Sequence, residues 1–142
     1  MKNVVQVCGK RKSSIAVAIV KGPGNGLIRV NGSPLNQVKP EILKLKAFEP
    51  VFLAGDHLFK DLDIKIRVRG GGKISRIYAI RESIARGILK YYSEFVDENK
   101  KLELQQIFFN YDRSLLVGDK RQTEPKKAGG RGSRARYQKS YR

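Results

Sequence analysis

The sequence predicts an α+β fold, a compact β-sheet packed with helices over residues 1–117, followed by an extended basic tail over residues 118–142. Three observations carry this expectation. Leu62, Ile64, Ile66 and Val68 alternate with Asp63, Lys65, Arg67 and Arg69, the period-two pattern of a strand with one buried face. Ile77, Ile80, Ile84, Ile88, Tyr91 and Phe95 recur at steps of three and four, which aligns them on one stripe of a helix. From residue 126 onward only Ala128, Ala135, Tyr137 and Tyr141 bring apolar surface, too little to offset the entropy of ordering. The tail is therefore expected to be disordered until something anionic orders it, and its last 18 residues, fully extended, would reach on the order of 60 Å.

Taken in order, Val4, Val5 and Val7 form a short β-prone run expected to end at Gly9, where Lys10, Arg11 and Lys12 follow. In residues 13–20, Ile15, Val17 and Ile19 alternate with Ala16 and Ala18, so both faces can be covered and the segment reads as a central strand. The glycine-rich stretch at residues 22–26 breaks the chain. Residues 27–30 resume as a strand that Asn31 and Gly32 end, and this strand is expected to pair with the preceding one as a hairpin. Pro40 opens a predicted helix that runs to about Leu53, stopped by Gly55 and Asp56. The alternating strand at residues 62–69 carries a basic outer face of Lys65, Arg67 and Arg69. After Gly70, Gly71 and Gly72, a long helix is predicted from near Ser75 to about Phe95. Its second stripe, Arg76, Ala79, Ser83, Arg86 and Lys90, is small at the centre and basic at the flanks. That stripe admits either an RNA surface or a neighbouring element of the same chain. Residues 100–107 are predicted as a short helix, and Leu115, Leu116 and Val117 as the last core contact.

Charge narrows the partners. The 142 residues hold 30 Lys and Arg against 13 Asp and Glu, a formal net charge of +17. Residues 118–142 account for +7 and the remainder for +10, so the globular part is basic as well. Such a chain favours a polyanion, either nucleic acid or an anionic membrane surface. No apolar run approaches spanning length, no lipidation pattern is present, and no membrane partner is expected. The single Cys8 fits a reducing compartment and reads as a small buried residue on a strand; the N-terminus shows no secretory apolar core.

Catalytic and metal chemistry find little to work with. One His57 and one Cys8, far apart in sequence, cannot supply a four-ligand zinc site. Glu94, Asp97, Glu98 and Glu103 read as solvated charges at a helix end and linker. No catalytic residue, metal or cofactor is expected. The glycine triplet followed by Lys73 could aim backbone amides at phosphate from a helix start, or could be a flexible turn. It is neither a GxGxxG fingerprint nor a Walker loop. Basic clusters are the stronger signal: Lys10, Arg11 and Lys12; Lys65, Arg67 and Arg69; Arg76, Arg86 and Lys90; and, in the tail, Lys126, Lys127, Arg131, Arg134 and Arg136. At the end of the chain Tyr137 and Tyr141 interleave with Lys139 and Arg142, pairing stacking surfaces with phosphate-seeking charge. A phosphotransferase with a glycine-rich loop, or a free nucleic-acid chaperone, are the competing classes.

With these residues in view, the chain resembles the universal small-subunit ribosomal protein nine family, numbered sixteen in the eukaryotic series. Gly9-Lys10-Arg11-Lys12-Ser13-Ser14 resembles the family's opening motif and Val30-Asn31-Gly32 its hairpin. The glycine triplet followed by Ser75, Ala79, Ser83, Ala85, Arg86, Gly87 and Ile88 resembles its signature. The ending Arg134-Ala135-Arg136-Tyr137-Gln138-Lys139-Ser140-Tyr141-Arg142 is similar to the eukaryotic branch. Two positions depart from the family: Arg76 where glutamine is usual, and Arg131 where this branch often has proline. The resemblance implies the fold shared with the second domain of small-subunit protein five, seated on ribosomal RNA in the head of the small subunit beside other head proteins. It implies a tail threaded toward the decoding region, with Tyr137, Lys139, Tyr141 and Arg142 at the peptidyl-site transfer RNA. The other basic residues named above, with Gly70, Gly71, Gly72 and Lys73, would hold ribosomal RNA. The expected location is the cytosolic ribosome, with transient nucleolar assembly.

Overall fold

The computed structural model describes residues 3–142. Five strands form one sheet: β1 (Asn3–Arg11), β2 (Ser14–Gly22), β3 (Ile28–Val30), β4 (Ser33–Pro34) and β5 (Asp63–Arg69), in the spatial order β1-β2-β5-β3-β4. The pairs β1–β2, β2–β5 and β3–β4 are antiparallel, whereas β3 runs parallel to β5. The register explains the alternation. Val5, Val20 and Ile64 lie side by side, as do Gly9, Ala16 and Val68, so one face of the sheet is built from small and branched apolar residues, all buried.

Helix α3 (Lys73–Phe95) lies on that face. Ile77, Ile80, Ile84, Ile88 and Tyr91 are buried as the stripe predicts, while Phe95 at its far end is exposed. Helix α1 (Glu41–Ala54) packs on α3 and stops at Gly55, whose φ of 86° takes the chain into the left-handed region that glycine enters without strain. A single helical turn, α2 (Asp56–Phe59), follows it. Helix α4 (Glu98–Tyr111) covers the other side of α3 through Leu104 and Phe108, and a 3-10 turn at Arg113–Leu115 buries Leu115 beside them. Residues 118–142 contain neither helix nor strand.

Four expectations need correction. First, β2 and β3 are not a hairpin: β5, which arrives about forty residues later, inserts between them. The two hairpins are β1–β2 and β3–β4, the latter turning at Asn31 and Gly32 with φ of 49° and 91°, both positive as a two-residue hairpin turn demands. Second, β1 does not end at Gly9 but runs to Arg11. Third, α4 extends beyond residues 100–107 at both ends; the Asp97 carboxylate accepts from the Asn99 amide and caps its earlier start.

Fourth, Cys8 is exposed rather than buried, because it alternates with Gly9 and so falls on the sheet face away from α3. The small stripe of α3, which the sequence leaves open between an RNA surface and a neighbouring element, takes the neighbouring element at its centre. Ala79 and Ser83 are fully buried, because β1 crosses them at Gly9. A Cβ on Gly9 would stand 2.4 Å from the Ala79 carbonyl oxygen and 2.8 Å from the Ser83 nitrogen. One turn further, a Cβ on Gly87 would stand 2.7 Å from Val20. At Ala79 and Ser83 the stripe is the groove in which strand and helix backbones approach most closely, closed there to any external surface, while Arg76 and Lys90 at its flanks stay exposed.

Candidate nucleic-acid interface

The predicted basic residues divide into those the fold consumes and those it leaves free. Arg86 is consumed. Its Nη1 lies 3.0 Å from the Glu82 carboxylate and donates to the Cys8 carbonyl at 3.0 Å, while its Nε donates to the Leu116 carbonyl at 3.1 Å. One guanidinium thus ties β1, α3 and the root of the tail together. Glu82, almost completely buried, also accepts from the Lys10 amide at 3.0 Å. Burial raises its carboxyl above the ordinary value against the opposing pull of that amide and of Arg86. Arg11 is consumed too: it pairs with Asp119 and sits over the Tyr78 ring with its guanidinium carbon 5.2 Å from the centroid. Lys90 is held loosely, 3.4 Å from the Gln6 carbonyl and 3.7 Å from Glu94.

Sequence reasoning missed the most buried cation of all. Arg81, 1% exposed, reaches Glu49 on α1 at 2.6 Å, Asp112 at 2.9 Å and the Ser114 hydroxyl at 3.1 Å. It joins α1, α3 and the segment after α4. Burial alone would raise the Asp112 carboxyl, but the Ser114 amide and hydroxyl and Arg81 together hold it below its ordinary value. The signal was available: position 81 lies on the same helix face as Ile77, Ile84 and Ile88, so an arginine there must be buried and paired.

The free charges gather elsewhere. At one end of the sheet the β1–β2 turn, the glycine triplet and the root of the tail meet. Gly70 and Gly71 have φ of 77° and 63°, and a Cβ on either would collide with Ser13 or Ser14 at 2.4 and 2.0 Å. The Ser14 hydroxyl and Arg76 Nε both donate to the Gly70 carbonyl, at 3.1 and 2.9 Å. Two glycines of the triplet are therefore required by close packing, which fixes the loop rather than loosening it. Gly72 meets nothing and leads into the first turn of α3 without a side-chain cap. Around this edge Lys10, Lys12 and Lys73 are exposed and form no ion pair among the described residues.

The tail leaves from the same edge. Asp119 binds both Arg11 and Arg121, and the Arg121 side chain and amide hold its carboxyl down to about 2, with Arg11 adding to the effect. Glu124 lies between Lys127 at 2.8 Å and Arg134 at 3.1 Å, and these two lower its carboxyl in turn. Beyond them the chain turns back briefly, with the Tyr137 amide donating to the Gly129 carbonyl at 3.1 Å. Both acids of the tail are thus spoken for. Lys126, Arg131, Arg136, Lys139 and Arg142 have no ion-pair partner among the described residues, and Tyr141 is 87% exposed. The third free group, Lys65, Arg67 and Arg69, stands on the open face of the sheet, away from all the helices. The structure holds no group of three His, Cys, Asp or Glu placed to bind a metal, and no helix long and apolar enough to cross a membrane, among the described residues.

Comparison with known proteins shows the family. Residues 9–142 match the family model described as ribosomal protein S9/S16. The chain is 56% identical to the small ribosomal subunit protein uS9 of Eremothecium gossypii, over 97% of this chain and 96% of that protein. It is 54% identical to uS9 of Dictyostelium discoideum over 99% and 95% of the two chains, and 54% identical to uS9A of Saccharomyces cerevisiae over 97% and 96%. With a match that runs from the β1–β2 turn through the glycine triplet to the last arginine, the chain belongs to the ribosomal protein S9/S16 family.

Proposed function

We propose that this chain is a structural constituent of the head of the small ribosomal subunit, anchored on ribosomal RNA by its globular part and reaching the decoding region with its tail. Family membership makes it a ribosomal protein and not an enzyme. The observation that carries the rest is the partition of charge. Intramolecular acids neutralise Arg11, Arg81 and Arg86, while Lys10, Lys12 and Lys73 at the loop edge and the last third of the tail stay unpaired. Cations left without partners in a folded chain favour an external polyanion. In this reading the edge formed by Lys10, Lys12, Gly70, Gly71, Gly72, Lys73 and Arg76 grips phosphate. The unpaired Lys126, Arg131 and Arg136 follow a groove of ribosomal RNA, joined by Lys127 and Arg134 as phosphate replaces Glu124 beside them, and the tail orders there. Tyr137, Lys139, Tyr141 and Arg142 hold the peptidyl-site transfer RNA by stacking and charge. The fold is of the kind found in the second domain of small-subunit protein five. The protein works in the cytosolic ribosome beside other head proteins, after assembly in the nucleolus.

Arg86 and Arg11 act as internal staples, so replacing them tests folding rather than RNA contact. The informative variant is deletion of Arg142. Small subunits carrying it should keep a full complement of this chain through a high-salt density gradient, while their affinity for peptidyl-site transfer RNA falls by about tenfold, the worth of one charge-assisted contact. Unchanged affinity would remove the tail's role. Appearance of the chain as free protein at the top of the gradient would remove the anchor itself.

A further inference from the structure

Among the described residues, no helix packs on the face of the sheet opposite α3. Its central row is Ile15, Val17 and Ile19 on β2, with Ile15 45% exposed. The register sets Arg69, Arg67 and Lys65 of β5 directly beside these three residues, and Arg29 of β3 beside Lys65. None of the four cations has an ion-pair partner among the described residues. The result is a shallow depression of about 990 Å³ with an aliphatic floor that Lys21 continues along β2, the β5 cations on one side, Lys10 of β1 beside Ile15 at one corner, and the Asn31–Gly32 turn at one end.

Two kinds of partner could answer that wall, and the floor decides between them. RNA would satisfy the cations but gain little from branched aliphatic side chains, because sheets that read RNA present aromatic rings on which bases stack. No Phe, Tyr or His lines this depression. An aliphatic row edged by cations instead complements a protein surface whose apolar ridge is edged by carboxylates. We propose that the open face of the sheet seats an acidic, apolar-ridged segment of a neighbouring small-subunit protein, and that Lys65, Arg67 and Arg69 serve this contact rather than ribosomal RNA. The assignment rests on the ribosomal reading above and divides the predicted basic sites into two functions. The loop edge and tail take RNA; the sheet takes protein.

The test uses unmodified small subunits isolated at high salt. Carbodiimide treatment, which joins a lysine amine to a carboxylate in direct contact, should couple Lys65 to an Asp or Glu of another protein, in a peptide that also carries apolar residues. Lys65 should react with an amine-acetylating reagent about tenfold more slowly than it does in the free chain, as expected of a desolvated charge at an interface. Ile15→Lys in the full chain supplies the second arm. It adds a cation that RNA would welcome but places a charge against the apolar ridge. Retention of the variant in small subunits at high salt should fall by about tenfold. Ultraviolet coupling of the Lys65–Arg69 peptide to nucleotides, or retention raised by Ile15→Lys, would overturn the proposal in favour of RNA. Free reactivity of Lys65 in intact subunits would overturn it by showing the face bare. Absence of the unmodified chain from small subunits altogether would instead overturn the ribosomal reading, a result distinct from either.

Discussion

Replacing Gly9 by alanine isolates the closest strand-to-helix approach in the molecule. The new methyl carbon would stand 2.4 Å from the Ala79 carbonyl oxygen and 2.8 Å from the Ser83 nitrogen, about 1 Å inside ordinary contact with the first. Both obstacles are backbone, in the middle of a 23-residue helix, so no rotamer change relieves them and β1 must lift away from α3. That shift opens contacts around Val5, Val7, Ala16 and Ile80. Overpacking of this kind costs about 1–3 kcal/mol, and the rigid obstacle argues for the upper half, about 2–3 kcal/mol. At roughly 4 °C per kcal/mol, the Tm of the full chain falls by about 8–12 °C. Gly72→Ala is the matched control. Its φ is −90° and a Cβ there meets nothing within 4 Å, so its effect should stay within about 0.5 kcal/mol. Thermal unfolding followed by circular dichroism reads both. Equal Tm values for the two variants would refute the close-approach argument and leave Gly9 an ordinary strand residue.

Three further outcomes are expected. Arg81→Met strands Glu49 and Asp112, but Glu49 keeps Lys46 at 2.8 Å and the Asp112 side chain is 35% exposed, so the loss should be about 2–3 kcal/mol rather than the ~3–5 of a wholly buried pair; urea denaturation measures it, and adding Glu49→Gln should recover part of it. The Asp119 carboxyl lies below its ordinary value of 3.8, so its contribution is complete above that pH and is lost as pH falls toward about 2. Side-chain NMR of Arg11 and Arg121 should therefore show the tail root released only near pH 2, and release centred near pH 4 would contradict the assignment. Phe108→Ala, at a fully buried position where α4 meets the core, should cost about 3–5 kcal/mol and lower the urea midpoint accordingly.

How far the sequence reveals this molecule depends on whether the deciding partner is near in the chain. The alternation of Ile64, Ile66 and Val68 and the stripe of Ile77, Ile80, Ile84 and Ile88 are local patterns, and both elements form with the faces expected. Asn31 and Gly32 announce their own turn. The placement of β5 between β2 and β3 depends on pairing across about forty residues, and nothing in residues 13–30 records it. Gly9 resembles a strand end because glycine ends strands more often than it admits a helix backbone. Charge was the least legible quantity. Arg76, Arg86 and Lys90 look alike in sequence, yet Glu82 at one turn's distance and the Cys8 carbonyl on the adjoining β1 already engage the Arg86 guanidinium. A count of cations says how much anion the chain favours; only the fold says which cations are still available.

The pinning of the tail root by Asp119 has a consequence for how weak contacts become effective. With its origin fixed at Arg11 and residues 126–136 laid in an RNA groove, the last segment of the proposed arm would be confined to the reach of some six residues, a root-mean-square distance of about 13 Å for a flexible coil. Confinement on that scale corresponds to an effective concentration in the millimolar range. A terminal arginine and tyrosine whose own affinity for an RNA loop was only millimolar would then be engaged about half the time without any dedicated pocket. The grip on transfer RNA would stay loose enough to release at every translocation step, and its occupancy would be set by tether length rather than by contact strength.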